Sequence, residues 1–369
     1  MRAERRRKRC EGFRKPGGFI MTRAMFRCGF VMAFVLLASG PAMAADEAAP
    51  ASEESFYSKS LHYTNRGIEF LYSKEQGGLE RLTGIPAAEM GCLKSKCHVQ
   101  SCDTCHREAV GGKAAYSVKA ARSQEACKTC HPVEKDDPDA HFRRGMKCMD
   151  CHSARDIHGD GTLWNTYMQP GALDARCETC HATISRTISH TVHGGKLDCS
   201  TCHALEFITC FNCHVDTRLK GGKDASIERR GLFFLVNHDG KVTLANVLSY
   251  VYGKGTMITV APYFPHSVTR QGRACDACHA SAIVAEVKAG TLVPFMWKDG
   301  EASSVRGVIP VVEGMKWNLA FLGRDGDRWV PLADPAEPLV NFSGYCTPLS
   351  REQLARLERA QRAGPAAAR

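Results

Sequence analysis

Between Cys92 and His214 the sequence reads CLKSKCH (92–98), CDTCH (102–106), CKTCH (127–131), CMDCH (148–152), CETCH (177–181), CSTCH (199–203) and CFNCH (210–214). Seven times in these 123 residues a pair of cysteines is followed at once by a histidine, and an eighth copy, CDACH, stands apart at 275–279. In the first copy four residues separate the cysteines instead of two, so its loop is longer.

Two cysteines three positions apart on one turn of backbone add across the two vinyl groups of a haem, and the adjacent histidine then lies under the iron. The spacing predicts eight covalently attached haem c groups. Their thioether cysteines are Cys92 and Cys97, Cys102 and Cys105, Cys127 and Cys130, Cys148 and Cys151, Cys177 and Cys180, Cys199 and Cys202, Cys210 and Cys213, and Cys275 and Cys278. The proximal ligands are His98, His106, His131, His152, His181, His203, His214 and His279. Other uses of paired cysteines fit less well. Zinc would need such ligands in fours and no histidine directly after each pair. A thioredoxin-like pair comes singly on a βαβ frame. Bacterial ferredoxin clusters need a CxxCxxC run, which is absent.

Ligand arithmetic sharpens the reading. Of 15 histidines, eight are proximal, so seven remain for eight distal positions. His141, His190, His193 and His266 lie before attachment motifs, His158 just after one, and His62 in an aromatic segment ahead of the first; these are the candidate distal ligands. His238, in NHDG, reads as a turn tip. At least one iron therefore lacks a second histidine from its own chain. Met146, Met149 or Met168 would raise the potential of a haem it capped, although each reads better as core filling. Of the 19 cysteines, Cys10, Cys28 and Cys346 fall outside the motifs, and Cys346 reads as a small buried residue.

The first 44 residues carry ten Lys/Arg, the apolar run GFVMAFVLLA (29–38) and then PAMA, which together read as a signal peptide cleaved after Ala44, with Met1 or Met21 as the start. Ten apolar residues fall short of the roughly 20 that span a bilayer, so no stable membrane span is expected after cleavage. The formal charge of +10 is largely this leader; without it 39 Lys/Arg face 37 Asp/Glu. Each oxidised bis-histidine haem brings roughly one net negative charge. Nucleic acid is therefore not an expected partner. The expected address is periplasmic or otherwise exported.

Seven haems in so short a stretch leave no room for a conventional core. The expected fold is mainly irregular and α-helical, wrapped around stacked haems, with small β elements near 232–262 and 292–332. Asp239-Gly240 between two apolar runs signals a hairpin, Gly77-Gly78 a break, and Ser350-Arg351-Glu352-Gln353 a capping box opening a helix to about Arg362. The expected segments are a signal peptide (1–44), an N-terminal segment (45–91), a seven-haem region (92–219), a β insertion (220–262), the eighth haem site (263–285), a β-rich element (286–346) and a C-terminal helix and tail (347–369).

These motifs resemble those of multihaem c-type cytochromes, specifically the periplasmic octahaem cytochromes of anaerobic respiration, the group of hydroxylamine oxidoreductase and octahaem nitrite and tetrathionate reductases. The resemblance rests on residues 92–279 and is specific for covalent haem. It implies iron-based electron transport between redox partner proteins: a quinol oxidoreductase on one side and a terminal reductase or outer-membrane cytochrome complex on the other. The alternative it implies is reduction of a small nitrogen or sulfur oxyanion (nitrite, hydroxylamine, tetrathionate) at a haem lacking a distal histidine. The CxxCK motif of related catalytic haems is absent, so electron transfer without catalysis is the favoured expectation.

Overall fold

The two apolar runs flanking Asp239-Gly240 form the centre of the fold. In the computed structural model, which describes residues 56–90, 98–131, 139–221 and 225–359, they pair within a six-stranded mixed sheet. Its strands are β1 (Cys213–His214), β2 (Leu232–His238), β3 (Lys241–Tyr252), β4 (Gly255–Pro262), β5 (Gly307–Pro310) and β6 (Leu339–Phe342). The order is β5-β2-β3-β4-β6, with β1 beside the far end of β3. The connections β2–β3 and β3–β4 are antiparallel, whereas β5, β6 and β1 join in parallel. Asp239 (φ 48°) and Gly240 (φ 72°) make the β2–β3 turn. Two positive φ angles in a two-residue loop match the twist of the flanking strands, and an Asp-Gly pair tolerates them.

From Ala245 onward, β3 alternates buried and half-buried residues, as a β-strand's period of two requires. Phe234, Val236, Leu244, Val247, Ile258, Val260 and Ile309 are fully buried between the sheet and its cover. The cover includes α2 (Ala282–Lys288), which buries Ile283, Val284 and Val287, and α3 (Arg351–Arg359), which buries Leu354. The capping box at the start of α3 is made: Gln353 N–H donates to Ser350 Oγ (3.2 Å) and Ser350 N–H to Gln353 Oε1 (2.8 Å). Cys346 is buried in the same core, its thiol directed at Val260 O (3.5 Å).

The expected mainly irregular and helical fold is overturned. Helix and strand each account for 28 %. Among the described residues only α1 (Arg66–Tyr72), α2 and α3 reach seven residues. The sheet is large because β5 and β6 return from far along the chain to lie parallel on the two edges of the hairpin meander. Parallel pairing leaves no local turn signal, so although Leu339–Phe342 falls inside the expected β-rich element (286–346), its place on the edge of the main sheet was not legible.

The rest of the chain is built differently. Among the described residues from 98 to 198, Ala172 is the one buried apolar side chain. This stretch consists of short helical turns, several of them at attachment motifs, and one exposed hairpin, Arg107–Val110 with Lys113–Tyr116. All described residues fall within one unit, 52–369. No helix among them is long and apolar enough to cross a membrane.

The Gly77-Gly78 break is sterically enforced. A Cβ at Gly78 would stand 2.3 Å from Leu71 O and 2.5 Å from Tyr72 O, both backbone atoms. Gly78→Ala should therefore cost about 1–3 kcal/mol, the scale of overpacking. Denaturant unfolding followed by circular dichroism would show a lower midpoint; an unchanged midpoint would contradict the close approach.

Candidate functional site

Six attachment motifs share one backbone form. The histidine N–H donates to the carbonyl of the first cysteine at 2.8 Å (His106 to Cys102), 2.9 Å (His131 to Cys127), 3.0 Å (His152 to Cys148), 2.9 Å (His181 to Cys177) and 2.9 Å (His279 to Cys275). Cys199–His203 is likewise helical. One helical turn of this kind puts both thiols and the imidazole on neighbouring positions, as the attachment chemistry requires.

Each of these six histidines faces one imidazole from outside the motifs. The ring-centre distances are 6.2 Å for His62 and His131, 6.0 Å for His106 and His158, and 6.1 Å for His141 and His181. They are 6.2 Å for His152 and His266, 6.2 Å for His190 and His203, and 6.1 Å for His193 and His279. A single aromatic pair at such a distance is commonplace. Six in a 0.2 Å range, each joining one motif histidine to one other, with ring planes at anything from 18° to 67°, are not explained by stacking preference. Two imidazoles bound on opposite sides of one metal, at about 2 Å per metal–nitrogen bond, stand roughly 6 Å apart. The donor set thus fits an iron held by two histidines at each pair. All six candidate distal histidines are used, each once.

The hydrogen bonds to the other ring nitrogen agree. His190 Nδ1 donates to Ser185 O (2.7 Å), His193 Nδ1 to Ser189 O (2.8 Å), His203 Nδ1 to Thr269 O (3.0 Å) and His279 Nδ1 to Leu357 O (2.5 Å). A carbonyl only accepts, so Nδ1 carries the proton and Nε2 keeps a lone pair for a metal. His152 Nδ1 donates to Asp156 Oδ2 and His141 Nδ1 to Asp139 Oδ1, both at 3.2 Å, and both aspartates are buried. His62 Nδ1 lies 2.5 Å from the Tyr167 hydroxyl, which donates onward to Asp156 O (3.1 Å). Burial, and then the neighbouring His131, pushes His62 down to about 4. It is neutral at ordinary pH, the form a metal ligand needs.

The cysteines of successive helical motifs lie near one another: Cys105 near Cys130, Cys127 near Cys148, Cys151 near Cys180, Cys177 near Cys199, and Cys202 near Cys275. Along this line large apolar side chains are open to the exterior, among them Tyr116 (71 % exposed) and Ile188 (81 %). Exposed apolar surface of this kind, in a stretch with almost no core beneath it, is the environment a porphyrin would cover. Among the described residues no three His, Cys, Asp or Glu side chains converge, so the cysteines are not arranged as zinc sites, which need three or four protein ligands.

Three histidines stand outside the pairs. Cys92 and Cys97 lie outside the described residues, as does the expected signal peptide. His98 is described, and no imidazole faces it among the described residues. Its neighbour Val99 donates to His62 O (2.9 Å), which sets the first motif next to the His62–His131 pair. His214 and His238 both use Nε2, not Nδ1, toward backbone carbonyls: Leu322 O at 2.8 Å and Met168 O at 2.6 Å. Met168, a candidate ligand, packs its sulfur over Gly344, and Met149 lines a surface groove with Lys119 and Lys147.

Asp139, Asp156 and Tyr167 were not foreseen as site residues. Their only trace in the sequence is proximity: Asp139 two residues before His141 and Asp156 four after His152, one helical turn away. No family model matches the chain, and no curated protein or solved structure matches it.

Proposed function

We propose that this chain is a multihaem c-type cytochrome that relays single electrons along a line of bis-histidine haems in an exported compartment. The observation that carries the reading is the set of six imidazole pairs at 6.0–6.2 Å, each anchored by a cysteine pair on one helical turn. Haem c bound there supplies a one-electron iron couple. The chain's own part is to hold rings such as His141, His152, His190, His193, His203 and His279 by their Nδ1 protons, to offer two imidazoles at each site, and to keep successive motifs near one another. The line runs through the motifs ending at His106, His131, His152, His181, His203 and His279. Electrons would be exchanged at its ends with redox partner proteins, of the quinol oxidoreductase, terminal reductase or outer-membrane cytochrome type, in anaerobic respiration.

Asp139 and Asp156 serve the two middle sites of this line. A carboxylate accepting the Nδ1 proton makes the imidazole a stronger donor and favours the oxidised metal. Asp156→Asn and Asp139→Asn should each raise the potential of one site by some tens of millivolts, a tenfold change in a one-electron couple being about 59 mV. Spectroelectrochemical titrations superposing on wild type in both variants would remove this role.

A second reading, reduction of a small nitrogen or sulfur oxyanion, is favoured at His98, which faces no imidazole among the described residues and lies outside the β core that holds the other such motif histidine, His214. Carbon monoxide titration of the dithionite-reduced holoprotein separates the readings. The relay predicts no binding at the six paired sites, one CO-binding site at most, lost in Cys92→Ala/Cys97→Ala, and no turnover of nitrite, hydroxylamine or tetrathionate. Turnover on the ordinary enzyme scale of about 1–1,000 per second would establish the reductase instead. Purified protein without covalent haem by the pyridine haemochrome assay would sink both.

Replacing a ring from outside the motifs tests the pairing itself. His266→Ala should open the iron held by His152 and add one CO-binding site and one high-spin signal in electron paramagnetic resonance. An unaltered spectrum would refute that pair.

A further inference from the structure

We infer that the Cys210–His214 motif takes no haem and serves instead as a clamp between the main sheet and the strand containing Leu322; this rests on the haem reading of the other motifs.

The motif has the same residue pattern as its neighbours but not their backbone. Phe211 and Cys210 lie in an extended strand, Ile208–Phe211, paired antiparallel with Ile227–Arg230. Cys213 and His214 form β1 beside Tyr250 and Val251 of β3. The His214 N–H donates to Ala225 O (2.7 Å) rather than to the first cysteine's carbonyl. Between the two strands Asn212 takes a left-handed conformation (φ 53°), one that Asn tolerates better than most residues. The two thiols are therefore not set on one helical turn.

The imidazole is committed as well. His214 is 9 % exposed, and its Nε2 donates to Leu322 O at 2.8 Å, so the nitrogen that would bind iron carries the proton. The ring across from it is Trp329 (5.3 Å), not an imidazole. Asn212 Oδ1 accepts from Leu322 N–H at 2.8 Å. Both backbone groups of Leu322 are thus held by this motif. Phe211 is fully buried and stacks on Phe295 at 4.7 Å. Rewinding these residues into a helical turn would break both strand pairings, extract Phe211 and leave the Leu322 backbone unsatisfied in the core.

Peptide mapping of the wild-type holoprotein decides the matter. Trypsin cuts after Lys196 and Arg218, so Leu197–Arg218 contains both CSTCH and CFNCH. Denatured, alkylated and digested, it should carry one haem, on Cys199 and Cys202, and alkyl groups on Cys210 and Cys213. Two haems and no free thiol on this peptide would overturn the inference. A peptide alkylated at all four cysteines, in a protein haem-free elsewhere, would instead overturn the haem reading, and this inference would fall with it. As a second measurement, Cys210→Ala/Cys213→Ala should keep the wild-type haem-to-protein ratio, and a loss of one haem per chain would refute the clamp. His214→Ala should lower the unfolding midpoint at the same ratio.

Discussion

The position of one proton on the hydrogen-bonded imidazoles organises the structure. Where a backbone carbonyl or buried carboxylate takes the Nδ1–H, as at His141, His152, His190, His193, His203 and His279, Nε2 keeps its lone pair and a second ring stands about 6 Å away. Where the carbonyl takes the Nε2–H, as at His214 and His238, the ring is a polar pin in the β core. The distinction rests on the hydrogen-bond inventory of histidine and needs no assumption about what is bound. It divides the histidines into those that fit an iron site and those that hold the fold.

Two kinds of physics stabilise the two parts of the chain. The sheet and its helices bury a continuous apolar core, from Phe207 to Leu354, of the kind that pays for chain ordering in any globular domain. The stretch from 98 to 198 buries almost no apolar side chain among its described residues. Such a segment cannot offset its conformational entropy with side chains alone, and the proposed porphyrins supply the missing apolar interior. The two parts are joined where Asp198 N–H donates to Val242 O (2.8 Å) and Thr201 Oγ1 to the same carbonyl (3.1 Å), beside the CSTCH turn. The motif line therefore rests against the β2–β3 hairpin.

The six pairs also explain why the distal histidines are scattered. His141, which lies before the CMDCH motif, faces His181 of the next motif, and His158, just after CMDCH, faces His106 of an earlier one. His266 crosses from beyond the sheet to face His152. Each motif histidine is thus met by a histidine from another segment, so under the proposed haem reading neighbouring sites could not separate without losing a ligand. For a relay this interlocking keeps the spacing between sites constant.

The motif count, the six candidate distal histidines, the Asp239-Gly240 hairpin and the Ser350 capping box were legible in the residues themselves, because attachment chemistry, turn geometry and capping are local and have fixed spacing. The size of the sheet was not, since β5 and β6 join it through parallel pairings with no local turn. Neither was the partner of each ring, because two imidazoles meet through contacts between distant segments. Nor was the different form of CFNCH, whose letters match those of its neighbours. Sequence alone determined which side chains carry the attachment pattern; the tertiary structure decided which of them share the helical turn and the facing imidazole, because at CFNCH a strand pairing and a single carbonyl at Leu322 outweigh the local pattern.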